Sequence, residues 1–134
     1  QYMDRLVSQT ELILTNEPAD IYANPTYLPE DMQPDYDRYW TDERVDRVLD
    51  VLQRYDIALE INARYRIPSF DIIRRARERG IRFTFGTNNV DADFGRLEYC
   101  LEAVERCGLT ADDMWFPSMS VRRERPVVLY NRFD

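Results

Sequence analysis

The sequence predicts an α/β protein assembled from parallel βαβ units, and three observations carry that expectation. Segments with apolar residues at helical spacing alternate with short apolar runs of strand type. Most links between them are short, as successive βαβ units require. Helix caps and chain breakers (Pro18, Thr41, Ser69, Gly80, Gly108) fall at the borders of those segments rather than inside them.

Residues 2–15 read as a helix with Met3, Leu6, Thr10 and Ile13 on one face, ended by Pro18. Asp20 to Asn24 reads as a short strand stopped by Pro25. Thr41 is a good N-cap, with Asp42 and Glu43 in the first turn, and Val45, Val48, Leu49 and Leu52 give the apolar stripe of a helix reaching Tyr55. Ile57 to Asn62 is the second strand. Ser69 caps a helix whose Ile72, Ile73 and Ala76 face inward and which Gly80 stops. Ile81 to Gly86 is the third strand. Phe94, Leu97, Cys100, Leu101, Val104 and Cys107 mark a helix ended by Gly108. Met114-Trp115-Phe116 reads as a fourth strand closed by Pro117, and Val127 to Tyr130 as a possible edge strand in a weakly patterned tail, 118–134. The exception to the short links runs from Pro25 to Trp40, where prolines bracket Tyr27, Tyr36, Tyr39 and Trp40; long structured loops after a strand often serve binding.

Composition narrows the chemistry. The 134 residues include no His, and all 18 basic residues are Arg. A histidine base or metal ligand, a Schiff-base lysine and a P-loop lysine are therefore excluded from this chain. A net charge of -7 repels a phosphate backbone, so no nucleic-acid partner is expected. The basic stretches 74–79 and 122–125 are too short to reverse that, and the first reads as the solvated face of an amphipathic helix. No apolar run approaches the ~18 residues of a membrane span. Cys100 and Cys107 lie two helical turns apart, about 10 Å, beyond the roughly 7 Å that a disulfide tolerates, so they read as small core residues. They leave the compartment open: the expectation is a soluble protein, cytoplasmic or secreted after signal removal. Because the chain opens on Gln1, either a leader was removed or the chain starts inside a longer protein.

In parallel α/β folds functional groups gather at the C-terminal ends of the strands. Those ends carry Asn24 with Pro25, then Glu60, Asn62 and Arg64, then Thr87, Asn88 and Asn89. Alternation along a strand puts Glu60, Asn62 and Arg64 on one face. A single Asn after a strand is ordinarily a turn residue, but turn chemistry does not explain Glu60 and Asn62 inside a strand.

Three segments then carry a resemblance. Asp20-Ile21-Tyr22-Ala23-Asn24-Pro25, Ala58-Leu59-Glu60-Ile61-Asn62 and Phe85-Gly86-Thr87-Asn88-Asn89-Val90 resemble, in order and spacing, the later motifs of the polymerase and histidinol phosphatase (PHP) superfamily. There they read as a strand ending His-Pro, a Leu-Glu-Ile-Asn strand and a strand ending Gly-Ser-Asp-x-His. The stretch Gly95 to Cys100 is similar to the helix after the last motif. The resemblance, over residues 11–117, implies part of a distorted TIM-like (β/α)7 PHP-type barrel, with 1–117 its C-terminal part and the first half absent. A contact with that missing half, or self-association in its place, follows as an expectation.

The departures from the family pattern fall on the metal ligands. Asn24 stands where the family has His, and Asn88 and Val90 stand where it has Asp and His. An amide oxygen binds a hard cation only weakly beside a carboxylate, and Val does not ligate. The usual trinuclear site therefore cannot form. Asp91 and Asp93 are nearby carboxylates that read either as replacement ligands or as helix caps.

Two functions follow from the resemblance and its departures. The first is a metal-dependent, phosphoesterase-like hydrolase with a degenerate site. Glu60 and Asp91 would bind one or two divalent ions (Zn, Mn or Mg), and Glu60 would serve as ligand or base. Asn24, Asn62 and Asn88 would orient substrate or water, with Asn89 beside them, and Arg64 and Arg96 would hold an anionic or phosphorylated substrate. The second is a catalytically inactive barrel binding a polar or sugar-like small molecule. The Asn side chains would supply hydrogen bonds, and the Tyr27, Tyr36, Tyr39 and Trp40 loop would supply stacking. The alternative for that loop is that its rings simply cover the barrel mouth as core.

Overall fold

The centre of the molecule is a five-residue strand, β2 (Ala58–Asn62), with every residue but Glu60 buried. A run such as Ala-Leu-Glu-Ile-Asn suits a parallel strand covered on both faces. In this computed structural model, which describes residues 2–86 and 97–117, β2 pairs in parallel with β1 (Ile21–Tyr22) on one side and β3 (Phe83–Gly86) on the other. The order β1-β2-β3 follows the sequence. The register sets Asn62 opposite Gly86 and Leu59 opposite both Tyr22 and Phe83.

The α/β class with parallel βαβ units is thus present, but the described strands form an open three-stranded sheet rather than a closed barrel. The fourth strand expected at Met114–Phe116 reduces to one parallel bridge between Phe83 and Met114, where the Trp115 N–H donates to the Phe83 carbonyl. Phe116 already lies 70% exposed, and Pro117 has no N–H with which to continue the ladder. The tail 118–134, with its expected edge strand, lies outside the described residues.

Helices cover the sheet. They are α1 (Tyr2–Asn16), α2 (Tyr36–Tyr39), α3 (Asp42–Tyr55), α4 (Phe70–Glu78) and α5 (Glu98–Cys107), with 3-10 turns at Glu30–Asp35 and Ala111–Asp113. The long connection after β1 is therefore structured by one 3-10 turn and one short helix. In α3 the Thr41 hydroxyl accepts the Arg44 N–H, and Val45, Val48, Leu49 and Leu52 are all buried, as their spacing predicts. Removing that cap is a small, clean test: Thr41→Ala should cost about 1 kcal/mol in urea unfolding. No change would mean that the hydroxyl does not cap the helix in solution.

Ser69 caps α4 by accepting the Ile72 N–H, and Ile72, Ile73 and Ala76 are buried. Gly80 and Gly108, both at positive φ, follow α4 and α5 as stops. The inward face of α1 differs from the expected one. Met3, Val7, Thr10 and Leu14 are buried, whereas Leu6 and Ile13 lie at its flanks, half-buried. Thr10 is tolerated inside because its hydroxyl donates to the Leu6 carbonyl at 2.8 Å.

The Arg face of α4 is not simply solvated. Arg75 reaches Asp42 and Asp46 of α3, and Arg79 reaches Asp46 and Asp50, at 2.5–3.1 Å. Both cysteines are free and buried. Among the described residues no helix is long and apolar enough to cross a membrane.

Candidate functional site at the carboxyl end of the sheet

The strand ends bring three of the expected residues together. Asn24 follows β1 with φ 50, a left-handed conformation that Asn adopts more readily than most residues and that turns its backbone N–H toward β2. That N–H donates to Glu60 Oε1 at 2.8 Å. Asn62, wholly buried at the end of β2, donates through Nδ2 to Asn24 Oδ1 at 2.9 Å and to Glu60 Oε1 at 3.2 Å. Its own Oδ1 accepts the Tyr65 N–H at 2.9 Å. A buried amide needs partners for both ends, and Asn62 has them.

The other carboxylate oxygen, Glu60 Oε2, rests over Gly86. A Cβ built on Gly86 would lie 2.0 Å from it. Among the described residues Oε2 receives no hydrogen bond. Beneath the site the Cys100 thiol donates to the Ile61 carbonyl at 3.3 Å. Burial pushes its pKa up to about 11; a hydrogen bond with the Gly86 backbone opposes the shift, and the charge of Glu60 adds to it. A thiol so far from ionisation is structural rather than nucleophilic.

Two expected residues take other roles. Arg64 does not share the strand face, because β2 ends at Asn62 and the chain turns over residues 63–66. The turn is closed by paired backbone hydrogen bonds between Asn62 and Ile67, at 2.7 and 3.2 Å. Arg64 is exposed on it, with its guanidinium 5.6 Å from the Tyr65 ring centre. Trp40 is not a stacking surface for a ligand. It is 5% exposed, and its indole N–H donates to the Thr26 carbonyl at 2.9 Å, so the core alternative holds for that ring. Tyr27 remains half-buried, its ring edge-to-face with Tyr65 at 4.9 Å between centres. Asn88, Asn89, Val90, Asp91, Asp93 and Arg96 lie outside the described residues.

Sequence reasoning missed Tyr65 and the role of Gly86, and it took Tyr36 only as one of the loop's stacking rings. The Tyr36 hydroxyl lies 2.6 Å from Thr26 Oγ1 and accepts the Ser69 N–H at 3.2 Å. Burial, opposed by those hydrogen bonds, raises its pKa well above that of an ordinary phenol. The signal for Gly86 was present: a glycine inside a strand often marks a close approach.

The described donors alone do not complete a divalent-metal site, and Asp91, the other expected ligand, lies outside them. Glu60 Oε1 already accepts two N–H groups, while Asn24 Oδ1 and Asn62 Oδ1 accept one each. That leaves one open carboxylate oxygen and a second lone pair on each amide oxygen, where a hard cation takes several oxygen ligands, carboxylates foremost. Among the described residues no group of three Cys, Asp or Glu side chains is placed to hold a metal ion. What fold and site define is a parallel α/β protein with a carboxamide–carboxylate network at the carboxyl end of its sheet. Comparison with protein-family models, curated proteins and solved structures returned no match.

Proposed function

We propose that the carboxyl end of this sheet binds a small polar ligand, with the Glu60 carboxylate as its acceptor, on part of a PHP-like barrel that has lost metal catalysis. The observation that carries the reading is the division of labour within Glu60. Oε1 is held by the Asn24 N–H and by Asn62 Nδ2, while Oε2 takes no hydrogen bond among the described residues. A carboxylate fixed through one oxygen offers the other to a hydroxyl or amine donor with little loss of side-chain freedom. The substitutions Asn24 and Val90, where the PHP pattern has His, support the same reading, because they remove metal ligands and keep polarity at the first position.

The test is binding of a panel of polyols, monosaccharides, amino acids and simple amines to the full chain, followed by NMR. Glu60→Gln should weaken binding about tenfold or more, since a charged acceptor becomes neutral. Its fold should survive, because the new amide oxygen still accepts the Asn24 N–H. The result that would overturn the reading is a stoichiometric Zn, Mn or Mg ion in chelator-free protein, lost together with phosphoesterase activity in Glu60→Gln. That outcome would restore the hydrolase.

A further inference from the structure

A cavity of about 200 Å³ opens between the loop after β1 and the 63–66 turn after β2, lined chiefly by Thr26, Tyr27, Gln33, Tyr36, Tyr65 and Arg66. Its walls are fixed before anything enters. Thr26, at φ 64, is held by Tyr36 on its hydroxyl and by the Trp40 indole on its carbonyl. Tyr65 is held through its N–H by Asn62, and the Arg66 guanidinium lies 4.9 Å from the Tyr99 ring centre and bonds Glu102 at 3.0 Å. The Asn62–Asn24 hydrogen bond ties the roots of the two walls together.

We infer that this cavity binds one neutral, polyhydroxylated ring of monosaccharide size, with a face of the ring against Tyr65. Glu60 does not line this cavity, so the inference goes beyond the polar-ligand reading and stands on the cavity's own lining. Size supports a single ring, because pockets for drug-sized ligands measure roughly 300–1,000 Å³. Three tyrosines, an amide and a guanidinium edge combine apolar faces with hydroxyl partners, as a sugar presents C–H faces and O–H edges. The charge of the lining is already answered, since Arg66 pairs with Glu102, and this favours a neutral ligand over a phosphate. Tyr65 is 38% exposed beside Tyr27 and the Arg64 guanidinium and lies outside the buried core, so its loss leaves the core intact.

The full chain is titrated with D-glucose, D-ribose, myo-inositol and, as a charged control, inorganic phosphate, and followed by two-dimensional NMR. A ring compound should shift resonances of Tyr65 and its neighbours. Tyr65→Ala should weaken its binding about five- to tenfold, and Tyr65→Phe, which keeps the ring, should bring it back to within about threefold of the unaltered chain. Binding lost in Glu60→Gln but indifferent to Tyr65→Ala would overturn the cavity assignment and leave the polar-ligand reading standing. So would an open-chain amine or amino acid that binds through Glu60 while no ring compound does. Phosphate binding in preference to all three ring compounds would overturn the neutral-ring inference, and binding by no compound of either panel would remove both.

Discussion

Asn62→Leu is expected to destabilise the protein by about 3 kcal/mol, more than any surface substitution should. The side chain is fully buried and makes three hydrogen bonds: two from Nδ2, to Asn24 and Glu60, and one accepted from Tyr65. Leucine has the same branching but is larger, so the change removes polarity and adds some overpacking at a fully buried site. The Tyr65 N–H and Asn24 Oδ1 then lose a partner in a place with little water, each at a cost of about 1–3 kcal/mol. The extra apolar contact of leucine offsets part of that. Asn62→Asp separates the causes. It keeps the shape and the acceptor for Tyr65, but sets a negative oxygen where a donor stood 3.2 Å from Glu60 Oε1. It should destabilise at least as much near neutral pH. Urea unfolding of both variants gives the measurement, and a loss below about 1 kcal/mol for Asn62→Leu would mean that the network is not intact in solution.

The network also marks where sequence reading stops. Elements with a cap and a clean stripe were legible: Thr41 and Ser69 start α3 and α4, and every inward residue read from their spacing is buried. In α1 apolar residues border the stripe on both sides, so a small rotation of the helix was open and packing on α3 chose Val7 and Leu14 over Leu6 and Ile13. The strand ends gave Asn24, Glu60 and Asn62 from alternation and position alone. Arg64 failed the same logic because alternation assumes that the strand continues, and the Asn62–Ile67 pairing that ends it is a longer-range fact. Trp40 failed because an aromatic residue in a proline-rich loop has the same pattern whether it covers a core or faces a ligand. Only the Thr26 carbonyl meeting its N–H decides between them. Tyr65 carries no pattern at all: its place depends on a backbone hydrogen bond to a side chain three residues earlier.

Gly86→Ala is the second large effect, expected at about 2–3 kcal/mol, although nothing about the backbone there demands glycine. The reason is the neighbour. The new Cβ would fall 2.0 Å from Glu60 Oε2, 2.5 Å from its carboxyl carbon and 3.0 Å from Cγ. A flexible glutamate on an open surface would swing away at little cost, but this one is held through Oε1 by the Asn24 N–H and Asn62 Nδ2. Moving it surrenders those bonds; keeping it forces β3 away from β2, against the Ala63 N–H to Gly86 carbonyl bond at 2.7 Å. Either route damages the same site, so the effect should couple to Glu60 itself. Glu60→Ala removes the clashing atoms while also leaving Asn24 and Asn62 short of an acceptor. Combined with Gly86→Ala it should therefore cost clearly less than the two single changes added together, by about 1 kcal/mol or more in a double-mutant cycle. Additive losses would show that the glycine acts through the strand alone and that the carboxylate is not seated over it. A ligand held by Glu60 should be lost in Gly86→Ala as well, at temperatures where the variant remains folded, because a displaced carboxylate no longer presents its free oxygen in a fixed position.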